Sequence, residues 1–309
     1  MPKVSVIMPS YNKEKYIAKS IDSILNQTFK DWELIIVDDV STDNSVEVIK
    51  TYTDKRICFF QNEVNIGIAA NRNKALELVQ GEYVALLDAD DIATDFRLKT
   101  QVEFLDNHPE CDVVYGRYNE IDAEDKVKEL YFTALRNPAF VKARMLVHDP
   151  IPNGSAMFRK SFIDQYNIRY REGYLGMDDY MFWTECSLHG KIVGLPELFL
   201  YWRNTENNGT NTYMYNNNFR TKREKKFAEI QKYALEKNGF VLSEEELNLY
   251  FKVFSEYGYK IKEECEIHDL YKLIKKLCSQ AIGMENEKEI QMMYKKQFGL
   301  AIEKSYIWD

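Results

Sequence analysis

Residues 4–39 of the chain, VSVIMPSYNKEKYIAKSIDSILNQTFKDWELIIVDD, change their hydrophobic period twice. Residues 4–8 form a short apolar run, apolar residues then recur at helical spacing between residues 17 and 25, and residues 33–37 are apolar again. A strand, a helix and a second strand in this order predict a β-α-β unit and therefore a parallel sheet. This stretch places the chain in the α/β class.

The same alternation continues to residue 91. The patterns predict a helix after residues 41–43, a strand near residues 57–61, a helix over residues 69–79 and a strand over residues 83–87. Polar residues follow every predicted strand, at residues 9–12, 38–39, 62–65 and 88–90. Because the carboxyl ends of parallel strands line the ligand crevice of an open sheet, we expect these polar clusters to converge on one site.

Beyond residue 96 the signals are mixed. They predict a helix over residues 97–105, strands over residues 113–118 and 155–159, and a helix over residues 180–188 behind a glycine-containing loop. From residue 220 the chain is rich in Lys and Glu and predicts only helices, one of them with a capping box formed by Ser243 and Glu246. The predicted parts are residues 1–100 and 101–215, which form an α/β domain with a mostly parallel sheet, and a helical region over residues 216–309.

Composition excludes several classes of protein. A net charge of -8 and a pI near 5.3 argue against a nucleic-acid partner. The five cysteines are odd in number and contain no C-x-x-C pair, so neither a disulfide framework nor a zinc site is indicated, and a reducing cytoplasm fits best. No apolar run approaches the roughly 18 residues of a membrane span. We therefore expect a cytoplasmic protein, with peripheral contact at the inner face of the membrane left open.

The stretch YVALLDADD, residues 83–91, ends a predicted buried strand in three aspartates. Carboxylates packed together repel one another and lose hydration, so a positive partner is expected among them. Asp88 and Asp90 can hold Mg²⁺ or Mn²⁺, which take carboxylate oxygens and leave positions open for phosphate oxygens. The alternative is that Asp90 or Asp91 caps a following helical turn.

Acidic residues also end the second predicted strand, at Asp38 and Asp39. One of them can bind a ribose hydroxyl or the N–H of a uracil. Alternatively the pair belongs to a polar turn, in which Ser41 or Thr42 caps the next helix.

Three further positions have a functional and a plain interpretation. Tyr11 can stack on a nucleobase or be an ordinary surface tyrosine. Arg72 can reach a diphosphate or be a solvated helix charge. A carboxylate of Asp178 or Asp179 can act as a general base at the junction of loop and helix, or it can cap the helix that follows.

Motifs of other enzyme classes are absent from the sequence. It contains no G-x-G-x-x-G, G-x-x-x-x-G-K-[ST], H-E-x-x-H or G-x-S-x-G pattern, and its four histidines do not cluster. The sequence therefore gives no indication of a dehydrogenase, a P-loop NTPase, a zinc protease or a serine hydrolase.

Taken in order, five segments closely resemble the family 2 glycosyltransferases, which share the GT-A fold. They are residues 4–45, then NIGIAANRNKAL, GEYVALLDADD, PNGSAMFRKS and GMDDYMFW, and the resemblance covers roughly residues 1–205. It implies that residues 1–100 bind a nucleotide-sugar and that residues 101–215 bind the acceptor. The positions that the resemblance implies for holding the nucleotide of the donor are Pro9, Tyr11, Asp39, Asn65 and Arg72, with Asp39 as the uracil partner.

The remaining site residues are also implied by the resemblance. Asp88 and Asp90 match the D-x-D motif, which binds ribose and a divalent metal on the diphosphate. Asp179 matches the inverting base, while Asp178 stands where the family commonly has Glu. Val40 replaces a usual glycine, which puts a turn with positive φ in doubt. Arg203 matches a closing segment whose usual histidine is missing, so it either binds phosphate or takes no part.

The function implied by the resemblance is the inverting transfer of a sugar from a nucleotide-diphospho-sugar, first of all a UDP-sugar, with Mn²⁺ or Mg²⁺. The acceptor would be a hydroxyl of a glycan, a lipid-linked sugar or a glycoprotein in bacterial surface polysaccharide or glycan synthesis. The alternatives are a non-catalytic nucleotide-sugar-binding scaffold and a nucleotidyltransferase, whose usual Gly-rich basic loop is missing from residues 9–12. The C-terminal helices are expected to pack on the catalytic domain, with a homodimer or contact with an anionic membrane as alternatives.

Overall fold

The computed structural model describes residues 1–130, 134–174, 176–205, 217–255 and 264–306, and the boundary expected near residue 215 lies outside them. The strands are β1 (Val4–Ser10), β2 (Trp32–Asp38), β3 (Ile57–Gln61), β4 (Tyr83–Leu86), β5 (Ile92–Ala93), β6 (Val113–Ile121), β7 (Val127–Leu130), β8 (Met157–Arg159) and β9 (Ile192–Arg203). The helices are α1 (Ile17–Leu25), α2 (Ser45–Lys50), α3 (Ile68–Glu77), α4 (Arg97–Asn107), α5 (Pro138–Met145), α6 (Lys160–Gln165), α7 (Asp178–His189), α8 (Asn217–Lys237), α9 (Glu244–Val253), α10 (Glu264–Gln280) and α11 (Glu287–Tyr306).

The described strands form one mixed sheet in the order β3-β2-β1-β4-β8-β6-β9-β5, with β7 paired to β6. The first four strands of this order are parallel, as the sequence predicts. Strand β8 runs antiparallel to both of its neighbours, and β6 is parallel to β9. The carboxyl ends of β1, β2 and β4 therefore open on the same edge of the sheet.

Both faces of the sheet are covered by helices. Successive side chains of a strand point to opposite faces, and in β1 Ile7 belongs to one apolar cluster while Val6 and Met8 belong to the other. This two-sided burial explains why these strands are continuous apolar runs rather than alternating ones.

The C-terminal helices form a third apolar cluster that includes residues on and just after α5. The Tyr250 hydroxyl donates a hydrogen bond to the Leu146 carbonyl at 2.7 Å, and Gln231 donates one to Val147 at 2.8 Å. The described helices thus pack on the α/β part of the chain. Among the described helices, none has the length and apolar content that crossing a bilayer requires.

The expected helix caps agree with the structure in one case only. Ser243 and Glu246 make both hydrogen bonds of a capping box at the start of α9, which confirms that prediction. The prediction that Ser41 or Thr42 caps a helix is wrong, since α2 begins at Ser45 and the N–H of Ser41 instead donates to Asp38 at 2.9 Å. One member of the acidic pair therefore does belong to the turn.

The capping alternatives for the other acidic residues are also wrong. No helix follows Asp90 and Asp91, because the short strand β5 begins at residue 92. Asp178 is the first residue of α7, and the N-cap residue, Met177, makes no side-chain capping hydrogen bond. Val40 adopts a φ of 63°, so the positive-φ turn is kept although the residue is β-branched. A β-branched side chain in this conformation is strained.

Candidate active site

The carboxylate of Asp39 organises the loop that follows β3. Asp39 is 3% exposed and accepts hydrogen bonds from Asn62 Nδ2 at 2.7 Å, from the Ile66 N–H at 2.9 Å and from the Gly67 N–H at 2.8 Å. Asn65 donates to the main-chain carbonyl of Asp39 at 2.9 Å. The structure thus brings two of the expected nucleotide-binding residues into direct contact.

Tyr11 and Pro9 lie on the neighbouring strand end. Pro9 is buried in β1, whereas Tyr11 is 47% exposed just beyond it. The Asn12 side chain accepts a hydrogen bond from the Thr42 N–H at 2.8 Å, so the loop after β1 is fixed to the loop after β2. An exposed aromatic ring on a fixed loop is suited to stacking on a planar base.

Arg72 joins two of the predicted acidic positions. Its guanidinium donates to Asp88 at 2.9 Å and to Asp178 at 2.6 Å, and it lies 5.3 Å from the centre of the Tyr170 ring. Burial alone would lower the pKa of Arg72, but the charges of Asp88 and Asp178 raise it well above its ordinary range. Arg72 is 7% exposed, so the interpretation as a solvated helix charge is wrong.

The aspartate cluster after β4 has a positive partner that the sequence analysis missed. Lys13 Nζ contacts Asp90 Oδ2. Burial would lower the pKa of Lys13, but the charge of Asp90, together with Asp88 and Asp91, raises it. Burial, and then the charges of Asp90 and Asp88, raise the pKa of Asp91 well above its ordinary range. The signal available in the sequence was the position of this lysine, just after the polar end of β1.

Arg203 supports this cluster from within the fold. The residue is 1% exposed, its N–H donates to Asp91 at 2.8 Å, and its Nε donates to the Asp90 carbonyl at 2.8 Å. The guanidinium also donates to the Asp122 carbonyl at 2.6 Å and pairs with Asp125 at 2.5 Å. These contacts hold the aspartate loop in place, and a phosphate could reach the guanidinium only if they were broken.

The two aspartates at the start of α7 differ in environment. Asp178 is 3% exposed and neutralised by Arg72, whereas Asp179 is partly exposed and accepts a hydrogen bond from the Tyr180 N–H at 2.8 Å. Burial, and then the charge of Asp178, raise the pKa of Asp179 to about 6, although Arg72 and Arg223 oppose the shift. A carboxylate with a pKa near the working pH is suited to general-base catalysis.

Arg223 is a second residue that the sequence analysis missed. It is 4% exposed on α8, and its charge acts on Asp179. One helical turn further on, the Phe227 ring packs 5.4 Å from Tyr180 at the start of α7. The helical region thus contributes a charge to the candidate base, and the only signal was a basic run, RTKREKK at residues 220–226, in an acidic chain.

Two carboxylates of the aspartate cluster, Asp88 and Asp90, are the groups that could hold a cation. Within the described ranges, no group of three or more His, Cys, Asp or Glu side chains is arranged to hold a metal. Asp88 and Asp90 can each offer oxygens, with phosphate and water oxygens completing the shell, as hard divalent cations commonly require. Two carboxylates alone would leave most of the coordination shell of such a cation to other oxygens.

Comparison with known proteins identifies the family. Residues 5–166 match the family model described as Glycosyl transferase family 2. An uncharacterized glycosyltransferase of Methanocaldococcus jannaschii, MJ1057, is 37% identical over 209 residues, which is 64% of this chain and 69% of that protein. An uncharacterized glycosyltransferase of Haemophilus influenzae is 32% identical over 235 residues, covering 73% of this chain and 72% of that one.

Among solved structures, residues 1–349 of S. aureus TarS in complex with UDP-GlcNAc align with a TM-score of 0.66 at 21% identity. This alignment covers 99% of the present chain and 93% of that one. It establishes that the α/β fold with C-terminal helices is GT-A-like. With the family match over residues 5–166, it follows that the chain belongs to glycosyl transferase family 2.

Proposed function

We propose that this protein transfers a sugar from a nucleotide-diphospho-sugar, a UDP-sugar, to an acceptor hydroxyl with inversion at the anomeric carbon. The main observation in support is that the Arg72 guanidinium pairs both with Asp88, just after β4, and with Asp178 at the start of α7. The loop after β4 and the start of α7, where the candidate base Asp179 follows Asp178, are thereby joined.

The donor would lie across the carboxyl ends of β2, β1 and β4. Asp39, Asn65, Pro9 and Tyr11 would receive the nucleoside, since they surround the ends of the first two parallel strands. The solved TarS complex contains UDP-GlcNAc in a similar fold, which supports a UDP-sugar here. Residues 1–100 would accordingly be the donor-binding half.

The diphosphate would lie beside the aspartate cluster. Asp88 and Asp90 would hold Mn²⁺ or Mg²⁺, which when bound would stabilise the negative charge of the departing nucleotide diphosphate. Arg72 orients Asp88, and Arg203 fixes the loop that carries Asp90.

Asp179 would act as the general base. Its carboxylate accepts the proton of the acceptor hydroxyl while the hydroxyl oxygen bonds to the anomeric carbon. The bond from that carbon to the diphosphate oxygen breaks, and its electron pair leaves with the nucleotide diphosphate. A single displacement of this kind inverts the anomeric configuration. Because Asp178 is engaged by Arg72, Asp179 is the better placed of the two for this role.

The acceptor would be a hydroxyl of a glycan, a lipid-linked sugar or a glycoprotein in bacterial surface polysaccharide or glycan synthesis. Residues 101–215 would form most of its binding surface. Residues 216–309 would complete that surface, since Arg223 acts on Asp179.

The proposal is tested by following transfer from α-linked UDP-sugars to alkyl glycosides with Mn²⁺ and assigning the new linkage by proton NMR. We expect a β-linked product from the wild-type protein and from the matched control Asp31→Asn, whose side chain is exposed. Asp179→Asn should bind the donor without appreciable transfer. An α-linked product, or near-normal transfer by Asp179→Asn, would contradict the proposed mechanism.

A further inference from the structure

Lys13 lies where the proposed donor must pass. It follows β1, and its side chain reaches Asp90 in the loop after the adjacent strand β4. Tyr11, the candidate base-stacking residue, is two positions before it in the chain. The ammonium therefore lies at the aspartate cluster, beside which the diphosphate is proposed to bind.

The backbone at Lys13 is fixed, whereas its side chain is long. The Lys13 N–H donates to Ser45 Oγ at 2.7 Å, and its carbonyl accepts the Ile17 N–H at 2.9 Å at the start of α1. The lysine stem has several rotatable bonds and ends in three donors, so the ammonium can change partner without movement of the loop. Its side chain is 24% exposed and that of Asp90 is 12% exposed, so the contact borders solvent.

The aspartate cluster depends on this ammonium for charge balance. Arg72 is shared between Asp88 and Asp178, and the Asp90 carboxylate pairs with Lys13. Arg203 contributes hydrogen bonds to the main chain of Asp90 and to Asp91. A divalent cation that binds Asp90 Oδ2 would therefore have to displace the lysine.

We propose that Lys13 competes with the cation for Asp90 and so acts as a latch on the cation site. In the donor-free protein, its ammonium pairs with Asp90 and weakens the binding of divalent cations. When a nucleotide-diphospho-sugar binds, the ammonium moves to a diphosphate oxygen, and Asp90 becomes available to the cation. The inference rests on the proposed function, since it assigns an order to the binding of its two ligands. Cation and donor would then bind cooperatively, because each favours the arrangement that the other needs.

The test measures the Mn²⁺ affinity of the full chain without donor, from the electron paramagnetic resonance signal of free Mn²⁺. Lys13→Met removes the competing ammonium and should bind Mn²⁺ about tenfold more tightly than wild type. In the wild type, Mn²⁺ must first break a partly buried ion pair, which weakens its binding by a factor on the order of ten. Lys15→Met, which removes an exposed lysine from the same loop, should match wild type. With UDP present, the wild-type affinity for Mn²⁺ should rise more than that of Lys13→Met.

A folding defect is controlled by Lys13→Gln, which keeps a polar side chain and should show the same direction of change. Equal or weaker Mn²⁺ binding by both Lys13 variants in the absence of UDP would overturn the latch. If all proteins bound Mn²⁺ equally and only with UDP, the latch would fail while the proposed donor and cation site would stand. Absence of Mn²⁺ binding with and without UDP would refute both.

Discussion

Replacing Asp179 with Asn should make the protein more stable while abolishing its proposed activity. The pKa of Asp179 is raised from 3.8 to about 6 in the folded chain, so the carboxylate ionises less readily than in the unfolded chain. The stability that protonated Asp179 contributes is therefore fully present below pH 3.8 and is lost as the pH rises through about 6. Above that pH the charged carboxylate opposes folding.

The magnitude follows from the same shift. A difference of about two pKa units corresponds to roughly 3 kcal/mol as an upper limit. Because Asp179 is partly exposed, solvent screens part of this cost, and we expect Asp179→Asn to gain about 1–2 kcal/mol at pH 8. The asparagine oxygen can still accept the hydrogen bond from the Tyr180 N–H, so no new unpaired group is created.

The assay is urea unfolding followed by tryptophan fluorescence between pH 4 and pH 8. The stability difference between Asp179→Asn and wild type should shrink as the pH falls and be small near pH 4. The control Asp31→Asn should stay within about 0.5 kcal/mol of wild type throughout. In parallel, kcat should fall by about 10²–10⁴ in Asp179→Asn. A variant less stable than wild type at pH 8, or a difference that does not depend on pH, would refute the reasoning.

Three further predictions follow from single contacts. Arg72→Lys cannot bridge two carboxylates and should lower the free energy of unfolding by about 3 kcal/mol in urea titration, because one buried charge loses its partner; a loss below about 0.5 kcal/mol would contradict the bridge. Val40→Gly should raise the free energy of unfolding by about 1 kcal/mol, because glycine adopts a φ of 63° without strain, whereas Val40→Ile should leave it unchanged. Arg223→Gln should raise the pKa of Asp179 and move the acid limb of the kcat/KM profile to higher pH, and an unmoved limb would exclude an effect of Arg223 on the base.

Hydrophobic period was sufficient to predict the first half of the sheet. The runs that became β1, β2 and β4 are buried on both faces, so their patterns are unambiguous, and their parallel pairing brings the polar strand ends together. The expected convergence of these clusters rests on topology alone. It could therefore be predicted without any knowledge of individual side-chain contacts.

The contacts within the site could not be predicted in the same way. Arg72 meets Asp178 across 106 residues, and Lys13 meets Asp90 across 77 residues. Such pairs depend on how segments far apart in the sequence pack together, and no local pattern encodes them. The sequence identified the carboxylates but not the cation that balances Asp90.

Local hydrogen bonding explains the errors in the loops. Asp38 accepts the N–H of Ser41, so the polar residues after β2 stabilise a turn instead of capping a helix. The local side chain therefore found a partner nearer than the one that the sequence pattern suggested. The role of Arg203 stays a prediction, and its contacts with Asp90 and Asp91 come from residues far away in the sequence.

We propose that the aspartate cluster and the ends of the parallel strands form a cation-dependent site for a nucleotide-diphospho-sugar. This site is tested by isothermal titration of UDP-sugars into the full chain, with Mn²⁺ and then with EDTA. We expect binding of one UDP-sugar with Mn²⁺ and its loss in EDTA. Equal binding in both conditions would contradict the role assigned to Asp88 and Asp90, and no binding of any UDP-sugar would contradict the proposed donor.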